Sequence, residues 1–234
     1  MRHSIAPVAL ALAVLAVTGC ASFPQQPYNR VAHAKVQTIA IVSPALPEKP
    51  SAWMAVHPGQ SFGLIGGLIA AGDTASKTNA LADALNKQGF DHHAAFVAAL
   101  SASLVEAGYK VTLLDAQRPN TEFLAAYPDL GGADAILDTY SGSVGYMSAG
   151  ASTPYRPTAW VAARMVTAGE SRTVFADQIF VNAFGNPRDA ITLEAPSGYA
   201  FASFDNLVAD PARTADGLSL ALKTVAAEIA RQLR

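Results

Sequence analysis

The first twenty residues place the strongest constraint on how this chain can fold. They end at Cys20, the only cysteine of the 234-residue chain, so no disulfide can form within it. Arg2 and His3 give a short positive start, and a mostly apolar run follows over 6–17. A charged start, about 7–15 apolar residues and small residues before a cleavage point are typical of a secretory signal peptide. The run is shorter than the roughly 20 residues that a spanning helix needs. We therefore predict that 1–19 is a signal peptide and that the rest folds without an intramolecular disulfide.

The four residues 17–20, Val-Thr-Gly-Cys, resemble the lipobox of bacterial lipoproteins. This resemblance implies that the thiol of Cys20 receives a diacylglycerol, that the signal is cut before it, and that the new amine is acylated with a fatty acid such as palmitate. It also implies export to the outer membrane, because Ala21 and not Asp follows the cysteine. We predict a lipid anchor at Cys20 on the periplasmic face of the outer membrane. A buried free cysteine and an ordinary signal peptide are the alternatives.

Composition narrows the class of the remaining chain. Lys and Arg number 16 against 18 Asp and Glu, a balance that argues against a nucleic-acid binder. Hydrophobic residues make up 51%, enough to fill a core and to exclude disorder over most of the length. The stretch 21–34 is polar, contains two prolines and lacks periodicity. We predict a lipidated N-terminus and flexible tether over 20–34, and one periplasmic domain over 35–234.

Strand and helix patterns alternate along this domain. Residues 35–43 are apolar on both faces, which predicts an inner strand buried on two sides. Asp91 is a helix N-cap before a run of helical spacing that Gly108 ends. Two further strands are predicted over 109–114 and 134–140, and the Ser- and Gly-rich stretch 141–150 is read as a loop or a ragged edge strand.

The last third of the chain predicts a hairpin and a long helix. Residues 158–167 and 173–182 flank a turn at 168–171, with Trp160 and Arg164 on one face of the first arm. Pro211 opens a helix whose apolar stripe consists of Leu218, Leu222, Val225, Ile229 and Leu233. The predicted fold class is α/β (α+β), a mixed β-sheet with a hairpin, helices packed on it and a long C-terminal helix.

Four segments, 39–43, 106–111, 133–138 and 163–177, resemble a family of periplasmic lipoprotein domains. Its members include the curli-secretion lipoprotein and the lipoprotein that activates a penicillin-binding protein, and their small α/β domain is similar to the N-terminal domain of the Tol–Pal β-propeller protein. The resemblance implies action by assembly and partner binding, without catalytic chemistry. The apolar insert 61–73 and the long segment 183–210 depart from the family pattern.

Glycines interrupt an uncharged apolar run within 61–73, at Gly63, Gly66, Gly67 and Gly72. One interpretation is a helix or loop buried against the sheet. The other is a segment that touches the membrane or associates with itself, since Gly63 and Gly67 have the small-xxx-small spacing of packed membrane helices. As a helix, ten residues rise only about 15 Å and cannot span a bilayer alone.

The sequence contains no P-loop, dinucleotide fingerprint or metalloprotease motif, and we expect no cofactor, no metal and no enzymatic activity. Asp134 and Asp138 share one face of a predicted strand. A periplasmic hydrolase, the more remote alternative, needs one of these carboxylates beside His92 or His93.

The leading prediction is an outer-membrane-anchored lipoprotein that acts by binding an envelope protein partner or a second copy of itself. An alternative of another class is an oligomeric component of an export channel, in which residues 62–72 of several subunits meet at the membrane.

Overall fold

The computed structural model describes residues 23–118, 122–127, 131–167 and 172–234. Cys20, the predicted signal peptide and the predicted turn 168–171 lie outside the described residues. The predicted mixed architecture is confirmed. The strands are β1 (Thr38–Val42), β2 (Ser51–Val56), β3 (Lys110–Leu114), β4 (Ala135–Gly150), β5 (Arg156–Thr167), β6 (Thr173–Val181) and β7 (Ile191–Leu193). The helices are a 3-10 helix (Pro58–Phe62), α1 (Gly63–Lys87), α2 (His92–Glu106), α3 (Phe204–Ala209) and α4 (Pro211–Gln232).

Within the described ranges, seven strands form one mixed sheet, in which six follow the order β3-β1-β4-β5-β6-β7 and β2 pairs with β4 off this path. β1 pairs in parallel with β3 and with the first half of β4, where Ile39 lies opposite Val111 and Ala135. β2 pairs in parallel with the second half of β4. β4, β5 and β6 are antiparallel, so the predicted hairpin arms are confirmed. The stretch 141–150 belongs to β4, where it pairs with β5 over 143–147 and with β2 over 145–150 after a register shift between Tyr140 and Ser143, so it is neither a loop nor an edge strand.

Helices α1, α2 and α4 cover one face of the sheet. The Asp210 side chain accepts a hydrogen bond from the Arg213 backbone N–H at 3.2 Å, and Pro211 takes the first helical position of α4. The predicted stripe of α4 is buried in the main core together with α2 and the inward residues of β5. The long C-terminal helix predicted from the sequence is therefore confirmed.

The open face, as we call the side of the sheet turned away from these helices, carries a second and smaller core. Ala40, Val42, Ile136 and Val166 pack there against Leu124 from the connection between β3 and β4. Alternate residues of β1 contribute to the main core. The prediction that this strand is buried on two sides is confirmed.

The N-terminal segment lies against the domain and does not hang free. The Gln25 side chain donates to Asp177 Oδ1 at 2.7 Å, and the backbone of Gln26 exchanges two hydrogen bonds with Ala176 on the edge of β6. The Arg30 guanidinium lies 5.0 Å from the ring centroid of Tyr109. Over its described part, 23–34, the segment predicted as a flexible tether is thus held by polar and aromatic contacts that the prediction did not include.

Candidate functional site

The 3-10 helix and the start of α1 are fixed by local contacts. His57 Nδ1 accepts a hydrogen bond from the Gly59 backbone N–H at 3.0 Å, which caps the 3-10 helix. Gly63 has a φ of 62°, a left-handed value that glycine adopts without steric cost. Gly66 packs directly on the backbone of Gly59, where an added Cβ would overlap the carbonyl oxygen. Gly63 and Gly66 therefore allow the backbone conformation and the close backbone contact at the start of α1.

The last residue of the 3-10 helix and the first two turns of α1 expose large apolar side chains to solvent. We call these residues the apolar patch, and 60–82% of the surface of each is exposed. The apolar patch consists of Phe62, Leu64, Ile65, Leu68 and Ile69. The interpretation of 61–73 as a helix buried against the sheet is wrong for these side chains. Contiguous exposed apolar surface of this kind marks an interaction site in soluble domains.

No charge interrupts the apolar patch. The first charged side chain after it is Asp73, whose Oδ2 lies 2.6 Å from Lys77 Nζ and 3.4 Å from His57 Nε2. Gly67 and Gly72 have no atom within 4 Å of where a Cβ would stand, so both leave open space on the helix surface. Whether these glycines meet a membrane or a second copy stays a prediction.

The second half of α1 is docked firmly. Leu81, Ala82 and Leu85 are buried, and Thr78 Oγ1 accepts a hydrogen bond from the Ala52 backbone N–H of β2 at 3.3 Å. One continuous helix thus has a packed end and a projecting end. The packed end holds the apolar patch in a fixed position at the side of the domain.

Asp138 is fully buried on the open face, where it holds the connection between β3 and β4. Its carboxylate pairs with the Arg118 guanidinium and accepts hydrogen bonds from Leu124 N at 2.8 Å and Tyr127 Oη at 3.0 Å. Arg164 donates to Tyr127 Oη at 3.0 Å. Burial raises the pKa of Tyr127, which keeps its hydroxyl protonated and able to donate. The network is fully engaged in holding the chain over the sheet.

The constellation needed for the hydrolase alternative is not formed. Asp134 accepts hydrogen bonds from the backbone of Thr38 and the residue before it. His92 Nε2 lies 2.7 Å from the Pro47 carbonyl oxygen, and burial lowers the pKa of this imidazole. His92 and His93 belong to α2 on the helix side of the sheet, whereas Asp138 faces the open side. The structure brings neither carboxylate to these imidazoles.

Neither a metal-binding cluster nor a membrane-spanning helix is found in the part of the chain that the structure describes. No three His, Cys, Asp or Glu side chains there are grouped so that they could hold a metal ion. None of the helices there combines the length and the apolar character needed to cross a membrane.

A line of aromatic rings crosses the open face, and we call it the aromatic row. Its centroids are 6.2 Å apart from Phe23 to Phe123, 4.8 Å from Phe123 to Tyr140, 5.8 Å from Tyr140 to Trp160 and 5.6 Å from Trp160 to Phe180. All five rings are half-buried. Trp160 was predicted to share one face of its hairpin arm with Arg164, but the row itself was not predicted. Period-2 alternation in both hairpin arms was the signal that could have found part of it.

A cavity of about 440 Å³ opens at the Phe180 end of the aromatic row. Trp53 and Met147 line it from β2 and β4, and Gln60 lines it from the 3-10 helix. The cavity therefore connects the aromatic row with the segment that leads into α1.

Comparisons with known proteins give limited similarity. No protein-family model and no curated protein matches the sequence. The solved structures that are similar to the chain include three from bacteria. A Xanthomonas campestris protein described by the family model DUF330 has 11% identity and a TM-score of 0.39, covering 90% of this chain and 85% of its own. A PelC variant from Paraburkholderia phytofirmans, solved as a dodecamer, has 11% identity and a TM-score of 0.36, covering 91% and 92%.

The third structure is lipoprotein GNA1162 from Neisseria meningitidis, with 15% identity and a TM-score of 0.29, covering 64% of this chain and 87% of its own. A bacterial lipoprotein is thus among the solved structures to which the chain is similar, as the sequence analysis expects. TM-scores below 0.5 add no argument about activity or assembly, so the function rests on the residues described above.

Proposed function

We propose that this protein is a lipid-anchored lipoprotein of the bacterial envelope that works without catalysis, by assembling with a second copy of itself through the apolar patch. The observation that carries the proposal is the exposure of the five large apolar side chains of the patch. The lipobox residues 17–20 support the anchor, at the periplasmic face of the outer membrane.

A second copy fits the patch because the surface is uncharged. From Phe62 to Gly72 there is no ionisable side chain, so two identical patches can face each other without like-charge repulsion. Gly67 and Ala71, four residues apart, let two helices approach closely between the flanking leucines. The five exposed side chains would form the apolar centre of such an interface, which typically buries roughly 800 Å² of each partner.

The test is the mass of the detergent-extracted, lipidated protein, measured by light scattering during size-exclusion chromatography. We expect a discrete oligomer for the wild type and a monomer for Leu68→Lys. The matched control is Val105→Lys, which places the same charge on an exposed apolar position of α2 and should keep the oligomer. A monomeric wild type, or an oligomer that survives Leu68→Lys, would contradict the proposal. A closed ring of many copies would favour the export-channel alternative.

The anchor is tested separately with Cys20→Ala. We expect this variant in the soluble periplasmic fraction and the wild type in the outer-membrane fraction, because the thiol that carries the diacylglycerol is absent. Membrane retention of the variant would show that another part of the chain holds the protein at the membrane.

A further inference from the structure

We propose that the open face of the sheet lies against the bilayer surface, with the aromatic row as its membrane contact. This proposal rests on the lipid anchor at Cys20 and adds an orientation, since an anchor alone leaves the domain free to turn.

The path of residues 26 to 23 limits how far from the open face the proposed anchor can begin. Gln25 and Gln26 are hydrogen-bonded to β6, so the segment leaves the domain at a defined edge. Phe23, two residues earlier, has already reached the open face, where its ring contacts Phe123. Three residue steps separate Phe23 from Cys20, and they span at most about 11 Å in any conformation. The proposed anchor therefore begins within this distance of the place where Phe23 meets the open face.

The chemistry of the open face suits the interfacial layer of a membrane. Tryptophan and tyrosine are enriched there because an apolar ring is joined to a polar group that stays hydrated. Trp160 has this character, with its Nε1 donating to Gln178 Oε1 at 3.1 Å and its ring stacked on Phe180 at an interplanar angle of 15°. Tyr140 sits beside it in the aromatic row. Half-buried rings of this kind can touch lipid without leaving the sheet.

Both tryptophans of the chain belong to this face. Trp53 lies opposite Met147 in the β2–β4 pairing and alternates with Ala52, which points into the main core. Trp53 and Phe180 line the same cavity. The helices α1, α2 and α4 pack over the opposite side of the sheet. Intrinsic fluorescence therefore reports on the open face alone.

The experiment uses the full-length lipidated protein in vesicles of phosphatidylethanolamine and phosphatidylglycerol whose acyl chains carry bromine. Trp160→Phe leaves Trp53 as reporter, and Trp53→Phe leaves Trp160. The matched control removes both tryptophans and adds Val105→Trp on α2, an exposed position on the helix side. We expect loss of emission, relative to unbrominated vesicles, for both native reporters and none for the control.

Flotation of the same vesicles tests the lipid anchor separately from the orientation of the open face. Protein that fails to float overturns the anchor, and with it the proposed function. Protein that floats with all three reporters equally quenched, or with only the Val105→Trp reporter quenched, overturns the orientation while the anchor stands. Unquenched native reporters that are also shielded from acrylamide show that protein covers the face, which overturns the bilayer contact. Trp160→Phe removes the hydrogen bond to Gln178. Trp53→Phe keeps this bond, so its emission, which comes from Trp160, is measured with the bond intact.

Discussion

The helices α1 and α4 are similar in length and rich in apolar residues, yet they place those residues in opposite environments. In α4 the apolar side chains recur at helical spacing on one stripe, and the sheet buries them. In the first turns of α1 they occur at adjacent positions around the helix, as in Leu64–Ile65 and Leu68–Ile69, and they are exposed. One sheet face can cover only one stripe of a helix. Apolar residues in a helix therefore predict burial only when their spacing places them on one stripe that a sheet face can cover.

The two helices also differ in what holds them. Burial of apolar surface stabilises α4 by about 25 cal/mol for each Å² removed from water. The start of α1 gains almost nothing in this way within one chain. It is held by the Gly66–Gly59 backbone packing and by the cap that His57 provides to the 3-10 helix. Its apolar surface stays available for an external partner.

The largest effect that tests this contrast is the loss of one leucine from each helix. Leu222 is fully buried, so Leu222→Ala should lower the free energy of unfolding by about 2–5 kcal/mol. Leu68→Ala, the matched change on the exposed end of α1, should alter it by less than about 0.5 kcal/mol. Urea denaturation followed by circular dichroism, at a protein concentration that favours the monomer, measures both. Equal losses in the two variants would show that the apolar patch packs within its own chain.

A second, smaller contrast lies between two neighbouring glycines of α1. A Cβ at position 66 would overlap the Gly59 carbonyl oxygen, and we expect Gly66→Ala to cost about 1–3 kcal/mol by overpacking. A Cβ at Gly67 meets open space, and Gly67→Ala should stabilise the monomer by about 0.5–1 kcal/mol through helix propensity.

Thermal unfolding of the two alanine variants measures this pair under identical conditions. If Gly66→Ala unfolds at the wild-type temperature, the 3-10 helix does not hold the start of α1. If Gly67→Ala raises the melting temperature of the monomer and also weakens the oligomer, the glycine serves close approach between copies. A destabilised Gly67→Ala monomer would contradict the open surface around this position.

Local patterns made α4, β1 and the hairpin arms predictable, because cap residues, spacing and alternation are contained within each segment. Several features depend on pairings distant in sequence, and no local pattern encodes them. The aromatic row joins Phe23 to Phe180 through the register of three strands. β2 follows a proline-rich stretch and was not predicted at all. Exposure of Leu64 was one of two interpretations, and only the position of the helix relative to the sheet decided between them.

The smallest expected effect is a pH dependence of the free energy of unfolding. It separates the stability of the helix layer from assembly through α1. His92 stands at the start of α2, which packs on α4, and its burial lowers its pKa below the ordinary value of 6.5. The unfolded chain therefore binds a proton more readily than the folded one. The stability that the neutral His92 contributes to the folded state is therefore fully present above pH 6.5, and it is lost as the pH falls through the pKa of His92 in the folded state. His92→Gln should flatten this dependence, measured by urea denaturation from pH 7.5 downwards.

Assembly should not follow the same pH profile, because the apolar patch contains no titratable group. Light scattering at the same pH values is the matching measurement, and we expect the oligomer mass to stay constant while the free energy of unfolding declines. An oligomer that dissociates in step with the titration of His92 would mean that contact between copies involves the helix layer. That outcome would transfer the interface from the exposed start of α1 to the surface of α2 and break the contrast between the two long helices.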